Sequence, residues 1–246
     1  MWVSAFDIES FIIDFNKTTT KEYTLPALKE RLKSNPSILS LFVDSDGDFW
    51  FLQERFGLCL YNPRNNRLTL HSEIPALKNV ALSDKFLFAP STLTNNVWIG
   101  TDWGTVYEIR KKGESIQRRV AFNLHEVQQN PGSITSMYED SHKKLWIGTT
   151  QGVFCYDINH DSIKTISIQN KEVIGFVTDT ENNIWVAIPK QGLYTIENQN
   201  LILRHASAMN FTSIAITSDN VLWIGTEEGG VYSYEINSQK WIDYSF

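Results

Sequence analysis

Short apolar runs separated by polar turns fill most of this chain, and they recur in a fixed order. A run at residues 37–43 leads into an acidic turn at 44–48, and an apolar run centred on a tryptophan follows at 49–52. A glycine then opens an alternating run at 57–61, and a weaker run at 67–71 closes the unit. Turns rich in Asp, Asn and Gly suit β-hairpins. The pattern therefore predicts units of four consecutive antiparallel strands.

Tryptophan marks the repetition of this unit along the chain. Six of the eight tryptophans lie in the second strand of a unit, and they are Trp2, Trp50, Trp98, Trp146, Trp185 and Trp223. Successive members are 48, 48, 48, 39 and 38 residues apart. Near copies of one hexapeptide surround three of them, at residues 96–101, 144–149 and 221–226. Tandem units of roughly 40–50 residues indicate a repeat fold in which neighbouring units bury one another.

The tryptophan-centred strands are apolar at consecutive positions, as at Val97, Trp98 and Ile99. A sheet with one face in water would alternate apolar and polar residues instead. Both faces are covered when each sheet is sandwiched between its neighbours around a common axis. The sequence therefore predicts an all-β fold, a β-propeller or an open arc of a larger one, with about six four-stranded blades. The six register tryptophans are interpreted as packing between blades.

Blade boundaries follow from the repeat, within a single propeller region at 1–246. We place the blades at about residues 1–32, 33–78, 79–130, 131–170, 171–208 and 209–246. The first unit starts at its tryptophan strand, so the first blade is expected to lack its innermost strand. Two explanations stay open: further blades of a longer protein precede Met1, or a partner chain supplies the strand.

Charge and composition narrow the range of partners. The net charge is −6, with 22 Lys and Arg against 28 Asp and Glu. Nucleic-acid binding needs a basic surface that neutralises phosphates, so a nucleic-acid partner is not expected. A run of about 18 apolar residues, which a membrane helix needs, does not occur. The first residues also lack the basic stretch and apolar core of a signal peptide.

The residue types that carry chemistry do not form a catalytic or metal-binding pattern. The two cysteines, Cys59 and Cys155, each follow a tryptophan by nine residues, so we expect one register position and buried, unpaired thiols. The five histidines fall at scattered register positions. The acidic turn at 44–48 is similar to a calcium loop but lacks the later Glu of an EF-hand. We therefore predict no catalytic residue, no metal site and no cofactor.

The repeat resembles a known family. Residues 133–153 are similar to the two-component regulator propeller repeat, whose pattern joins a first strand, an acidic turn and a Trp-Ile-Gly-Thr strand. Two departures are local: the third unit lacks the acidic residue present as Asp44, Asp140 and Asp179, and Pro189 replaces a small polar residue. The resemblance implies the extracytoplasmic, periplasmic sensor region of a hybrid histidine kinase of Bacteroides-like bacteria. It also implies that oligosaccharides are candidate ligands.

Trp103 stands apart from the register tryptophans, because it lies in the turn between the second and third strands. In a propeller these turns share a face with the links between blades. An aromatic ring beside polar side chains suits a sugar or an amphipathic ligand. The predicted ligand face takes one or two residues from each such turn: Glu54, Arg55, Asp102, Trp103, Gln151, Lys190, Glu227 and Glu228.

Three functional hypotheses follow from these expectations. The favoured one is a non-catalytic sensor segment that binds a small molecule or an oligosaccharide. The second is a propeller enzyme, either a hydrolase of the sialidase kind or a lyase of the streptogramin kind. The third is a protein-interaction scaffold that pairs with further blades or with a second copy of the chain as a homodimer. Membrane insertion of this segment is not expected.

Overall fold

A computed structural model describes most of the chain, and the fold below is built from these parts alone. The described residues are 2–4, 10–14, 19–23, 38–44, 46–53, 56–78, 80, 86–91, 96–113, 115–168 and 171–244. They form six antiparallel sheets, of which five have four strands and the first has three. The predicted all-β fold of about six blades is therefore confirmed.

The first three blades contain the first eleven strands. Blade 1 consists of β1 (Trp2–Ser4), β2 (Ser10–Asp14) and β3 (Thr19–Tyr23). Blade 2 consists of β4 (Ile38–Val43), β5 (Phe49–Gln53), β6 (Gly57–Asn62) and β7 (Arg67–Thr69). Blade 3 consists of β8 (Phe86–Pro90), β9 (Asn96–Thr101), β10 (Thr105–Lys112) and β11 (Ser115–Asn123).

The last three blades follow the same plan. Blade 4 consists of β12 (Ile134–Glu139), β13 (Lys144–Thr149), β14 (Gly152–Asp157) and β15 (Ser162–Ile168). Blade 5 consists of β16 (Gly175–Thr178), β17 (Ile184–Ile188), β18 (Gly192–Glu197) and β19 (Asn200–Ala206). Blade 6 consists of β20 (Phe211–Ile216), β21 (Val221–Thr226), β22 (Val231–Glu235) and β23 (Lys240–Asp243).

Helical structure among the described residues is confined to two short 3-10 turns, at His71–Glu73 after blade 2 and at Leu124–Glu126 after blade 3. Neither turn approaches the length or apolar character of a membrane-crossing helix, and the described residues contain no helix that does.

The sheets fan around an axis through their first strands. In blades 2 to 6 each first strand contacts the first strand of the next blade: β4 meets β8, β8 meets β12, β12 meets β16, and β16 meets β20. In blade 1 the strand nearest the axis is β1, which contains Trp2 and contacts β4. The described part of blade 1 thus begins at its tryptophan strand, as the repeat predicts.

In blades 2 to 5 the tryptophan strand turns its indole toward the following blade. Trp98 of β9, for example, shares a core cluster with Leu145, Ile147 and Phe154 of blade 4. The exposed fraction is 0% for Trp50 and 1% for Trp98, and Trp146 and Trp185 are also buried. The packing role predicted for the register tryptophans is confirmed at these four positions. Trp223 in the last blade is only half-buried, and the Trp2 side chain lies outside the described residues.

The register prediction for the cysteines is wrong. Cys59 pairs with Phe51 across the strands, whereas Cys155 pairs with Trp146. The two thiols therefore lie on opposite faces of their sheets, because the turn before Cys155 is one residue shorter and shifts the pairing by one position. Both cysteines are buried and free, as expected, and burial raises the pKa of the Cys155 thiol to about 12.

Candidate functional site

The turn between the first and second strands carries the acidic residue of the repeat, and that residue holds the tryptophan. In blade 4 the Asp140 carboxylate accepts the Trp146 indole N–H at 2.8 Å. It also accepts the backbone N–H groups of His142 at 2.8 Å and Lys144 at 3.0 Å. Side-chain acceptors of this kind close tight turns. The spacing of six residues between acid and tryptophan is therefore a folding device.

Blades 2 and 5 repeat this contact. Trp50 donates to Asp44 at 2.9 Å, and Trp185 donates to Asp179 at 2.9 Å. Burial by itself would raise the pKa of each carboxyl group. The indole donors together with neighbouring side-chain and backbone partners outweigh that effect, so the pKa of Asp44 and of Asp179 lies below the usual value. Both acids therefore remain ionised while they hold their turns.

Blade 3 lacks the acidic residue, and the next blade replaces it. Glu139, at the end of β12, accepts the Trp98 indole N–H at 2.5 Å and the Ser91 hydroxyl at 2.9 Å. Its side chain is buried, and burial raises the pKa of this carboxyl group against the opposing effect of the two donors. The departure from the family pattern in the third unit is thus compensated across the interface between blades 3 and 4.

A lysine occupies the acidic turn that is similar to a calcium loop. The Lys111 ammonium, on β10 of blade 3, lies 2.8 Å from Asp44, 3.2 Å from Asp46 and 2.5 Å from Asp48. The side chains of Lys111, Asp44 and Asp48 are each 3% exposed. Burial would lower the pKa of Lys111, but hydrogen bonds to Asp44 and Asp48 raise it instead. This acidic group therefore has a built-in cation and links two blades.

Two clefts lie between neighbouring blades on this same side of the propeller. One, of about 500 Å³, separates blades 2 and 3 and is lined by Asn62, Arg67, Ile74 and Ser115 among others. The second, of about 290 Å³, separates blades 5 and 6 and is lined by Asp179, Arg204 and Gln239 among others. Both clefts border the structural carboxylates, so a ligand there would compete with contacts that hold the blades.

The opposite side carries the turns between second and third strands, together with the links between blades. The Thr150 amide donates to Ser133 at 3.0 Å, and the Glu227 amide donates to Asn210 at 2.9 Å. Each of these bonds joins such a turn to the link that enters its own blade. The predicted sharing of one face by turns and links is confirmed by these contacts.

Trp103 is the most exposed of the large apolar residues on this face, with 69% of its surface accessible. It lies between β9 and β10, next to the half-buried Asp102. The same turn contacts the link after blade 3, because the Leu124 amide donates to the Gly104 carbonyl at 2.9 Å. An indole of this kind, held by a fixed turn and flanked by polar groups, offers a flat apolar surface to a ligand.

The other predicted residues lie on the corresponding turns of later blades. Gln151 is half-buried and Lys190 is exposed, and the Lys190 amide donates to Met209 at 2.8 Å. Glu227 and Glu228 meet around one link residue, since Asn210 donates its side-chain amide to Glu227 and its backbone amide to Glu228. Glu54 and Arg55 lie outside the described residues.

Two exposed residues on the link after blade 3 were missed in the sequence, and one of them borders the Trp103 turn. His125 and Glu126 are exposed on the 3-10 turn of the blade 3 to blade 4 link. A Cβ added at Gly104 would lie 3.6 Å from the His125 ring, so this imidazole borders the Trp103 turn. The rule that turns and links share a face could have found both residues if it had been applied to the links as well.

Comparison with known proteins supports the resemblance drawn from the repeat. The family model described as the two-component regulator propeller matches residues 128–151 and 206–228. A histidine kinase from Formosa agariphila is 28% identical over 209 residues. The match covers 66% of this chain but 15% of the kinase, so the chain spans a small part of that relative.

Solved structures confirm the fold at lower identity. The extracellular domain of a protein described as a hybrid two-component system from B. thetaiotaomicron is 18% identical, with a TM-score of 0.64 over 94% of this chain and 31% of that one. A catalytically inactive virginiamycin B lyase from Staphylococcus aureus is 13% identical, with a TM-score of 0.65 over 94% of this chain and 75% of the lyase. At this identity the two likenesses concern the propeller architecture.

Proposed function

We propose that this chain, which carries two-component regulator propeller repeats, is a ligand-sensing propeller segment of a two-component signalling sensor and works outside the cytoplasm. The two matched repeats and the similarity to a histidine kinase support the signalling role. The likeness to an extracellular sensor domain supports the location. Binding would change how the propeller packs against a partner copy or a following domain, and in this way would pass on the signal.

Trp103 is the single observation that carries the ligand-binding part of the proposal. The four register tryptophans described as buried are bound to carboxylates, whereas Trp103 is 69% exposed on the opposite side. An indole left in water gains little of the free energy that burial of an aromatic side chain supplies. Asp102, next to it in the chain, and His125, which borders its turn, supply hydrogen-bond partners for a polyhydroxylated ligand. We propose an oligosaccharide as that ligand.

The segment is proposed to bind without catalysis. A lyase or glycosidase would need an acid and a base aimed at one reacting bond. The buried carboxylates Asp44, Asp140, Asp179 and Glu139 are instead engaged by indoles on the side away from Trp103. Assays of sialoside and lactone cleavage with the purified chain distinguish the two hypotheses, since turnover would favour the propeller enzyme.

Titration calorimetry against short oligosaccharides of defined sequence tests the binding face. Trp103→Ala should weaken the binding of any responding sugar by about fivefold or more, as loss of an aromatic contact costs more than about 1 kcal/mol. Tyr244→Ala removes a 42% exposed aromatic elsewhere and serves as the matched control. Equal affinity of Trp103→Ala and the unchanged chain would contradict the proposed face.

A further inference from the structure

The tryptophan-bearing face of blade 6 differs from the corresponding faces in blades 2 to 5, because the described residues leave Trp223 and Val231 partly open to solvent, although Ser233 is 1% exposed. Along β21 buried and half-buried residues alternate, whereas the apolar residues of β13 and β17 are buried throughout. Trp223 is half-buried, Val231 is 46% exposed and Tyr244 is 42% exposed. Among the described residues, the Trp223 ring packs against Tyr244 of its own blade, with 5.2 Å between the ring centroids.

This face repeats that of blade 4 position by position. In blade 4 Ser136 pairs with Gly148, Gly148 with Val153, and Trp146 with Cys155. In blade 6 the matching pairs join Ser213 with Gly225, Gly225 with Val231, and Trp223 with Ser233. We call this set the Trp223 face, and it consists of Thr212, Ser213, Trp223, Gly225, Val231 and Ser233. Five of the six residues are identical to their counterparts in blade 4, and the sixth exchanges Cys for Ser.

Blade 5 shows what covers a face of this composition. Trp146, Val153 and Cys155 form one core cluster with Phe176 and Val186 of blade 5. Val153 is 0% exposed in that interface, against 46% for its counterpart Val231. Apolar surface of this kind is buried with a gain in free energy when a complementary sheet packs on it.

Polar contacts in the same interface are matched as well. The hydroxyl groups of Thr135 and Ser136 donate to the Val173 carbonyl, at 2.5 Å and 3.2 Å, at the point where the chain enters blade 5. Thr212 and Ser213 place the same two hydroxyl groups on the Trp223 face, where both residues are exposed. The face thus keeps the donors for a backbone carbonyl of an arriving link.

Glycine occupies the same position in both faces. A Cβ added at Gly148 would lie 2.7 Å from the Val173 side chain of the next blade, and closer still to the Ser136 hydroxyl of its own sheet. Glycine is therefore required at that position both by its own sheet and by the close approach of blade 5. A Cβ added at Gly225 would meet Thr212 and Ser213 of its own sheet. Gly225 thus matches Gly148 in the contact with its own sheet, and the described residues bring no neighbouring sheet against it.

We propose that the Trp223 face is a docking surface for a further four-stranded sheet of the same repeat, of the type that blade 5 represents. The arriving link presents a backbone carbonyl to Thr212 and Ser213, and apolar residues equivalent to Phe176 and Val186 cover Trp223 and Val231. This interface is separate from the ligand face, so the proposal stands or falls independently of sugar binding.

An extended chain tests the proposal directly. A second copy of residues 169–208, which contain blade 5, is appended after Tyr244, and hydrogen exchange is measured in the peptides that cover β21 and β22. Exchange there should slow by about tenfold or more relative to the unextended chain. The control carries Phe176→Asp in the appended copy alone and should leave exchange at the unextended rate. Unchanged exchange in a folded extended chain would overturn the proposal.

A single substitution in the unextended chain gives a second test of the proposal. It can be carried out even when the extended chain is insoluble. Cys155→Ser makes the blade 4 face identical to the Trp223 face beneath the existing blade 5. The melting temperature should fall by only about 2–4 °C, with exchange in β17 within about threefold of the original. A loss of protection in β17 would show that a blade 5 sheet does not accept the blade 6 residues.

The oligomeric state tests the alternative occupant of the Trp223 face, which is a second copy of this chain. Light scattering with size-exclusion chromatography should give the molar mass of a monomer for the unchanged chain. The Val231→Asp variant should give the same mass at the same concentrations. A dimer that Val231→Asp dissociates would assign the Trp223 face to self-association and overturn the proposed repeat sheet.

Discussion

Blades 3 and 4 provide a hydrogen-bond acceptor for a buried indole N–H in different ways. Each buries an indole N–H that requires an acceptor, because an unpaired buried donor costs about 1–3 kcal/mol. Blade 4 uses Asp140, six residues before Trp146 in the same hairpin. Blade 3 uses Glu139 of the next blade, 41 residues after Trp98. The first contact forms within one hairpin, whereas the second forms only when two blades have packed.

The difference teaches that the acidic position of the repeat serves two separable purposes. In blade 4 the carboxylate closes its own turn and binds the indole, so hairpin and core are coupled locally. In blade 3 the same indole is satisfied by an interface contact, so the blade depends on its neighbour. Loss of the acid from one repeat is therefore tolerated where the adjoining strand supplies another acid at its end.

The largest effect is expected at Lys111, whose ammonium on blade 3 contacts carboxylates of blade 2. Lys111→Met leaves Asp44 buried without its cation and leaves Asp48 with the exposed Arg64 guanidinium, at 3.3 Å. Breaking a buried ion pair by removing one partner costs about 3–5 kcal/mol. Urea unfolding should show a loss of this size, and Lys112→Met, at the exposed neighbouring residue, is the control that should change stability by less than about 0.5 kcal/mol. Equal losses of stability in the two variants would show that the Lys111 charge does not stabilise the interface between blades 2 and 3.

The next effect concerns the two acids themselves. Asp140→Ala removes the acceptor of three N–H groups and should cost about 3 kcal/mol, while Glu139→Ala removes the acceptor of two donors and should cost about 2 kcal/mol.

Hydrogen exchange then separates the two acid variants. The Asp140 variant should expose the turn of its own blade, and the Glu139 variant should expose β9 and β12 together. Local exchange around β13 alone in both variants would contradict an interface role for Glu139.

A pH titration should show a smaller difference, in which Glu139 and Asp179 change the stability in opposite directions as the pH falls. The pKa of Glu139 is raised in the folded chain, so its protonated form is favoured there, and this contribution is lost as pH rises through the folded pKa. The pKa of Asp179 is lowered, so its contribution persists above the usual value of 3.8 and is lost as pH falls below it.

The two amide variants measure this contrast. Between pH 7 and pH 4.5 the unchanged chain should gain stability relative to Glu139→Gln, while its advantage over Asp179→Asn should stay constant. Thermal unfolding across this range checks both slopes, and equal slopes would show that the two sites titrate alike.

The smallest effect is expected at Thr178, at the end of β16. Its buried hydroxyl oxygen has no hydrogen-bond partner among the described residues. Replacing such a group with an apolar one of the same shape is nearly neutral or stabilising. Thr178→Val should therefore change the free energy of unfolding by less than about 1 kcal/mol in the stabilising direction, as measured by urea unfolding. Clear destabilisation would mean that the hydroxyl has a partner.

The sequence was sufficient for the fold because its signals are local. The spacing of Trp98, Trp146 and Trp185 depends on one strand each, and so does the turn chemistry of Asp140. The Glu139 to Trp98 bond and the Lys111 contacts join residues of different blades, which no local pattern encodes. The cysteine register failed for a related reason, because one residue fewer in a turn moves a whole strand to the other face.

The candidate site was predictable only in part. The exposure of Trp103 followed from its place outside the tryptophan register, since that turn is not part of a strand. His125 and Glu126 lie on a link whose path over the Trp103 turn is set by packing between blades 3 and 4. Link positions have no periodicity of their own, and only the folded chain brings His125 to the Trp103 turn.

A heteronuclear NMR spectrum of the indole N–H groups, recorded with and without an oligosaccharide that binds, distinguishes the buried tryptophans from Trp103. Slow hydrogen exchange is expected for Trp50, Trp98, Trp146 and Trp185, whose indoles are bound to carboxylates, and fast exchange is expected for Trp103. On addition of the sugar the Trp103 signal should shift and the four protected signals should remain in place. A protected Trp103, or a shift confined to the four buried indoles, would contradict the division between structural and ligand-binding tryptophans.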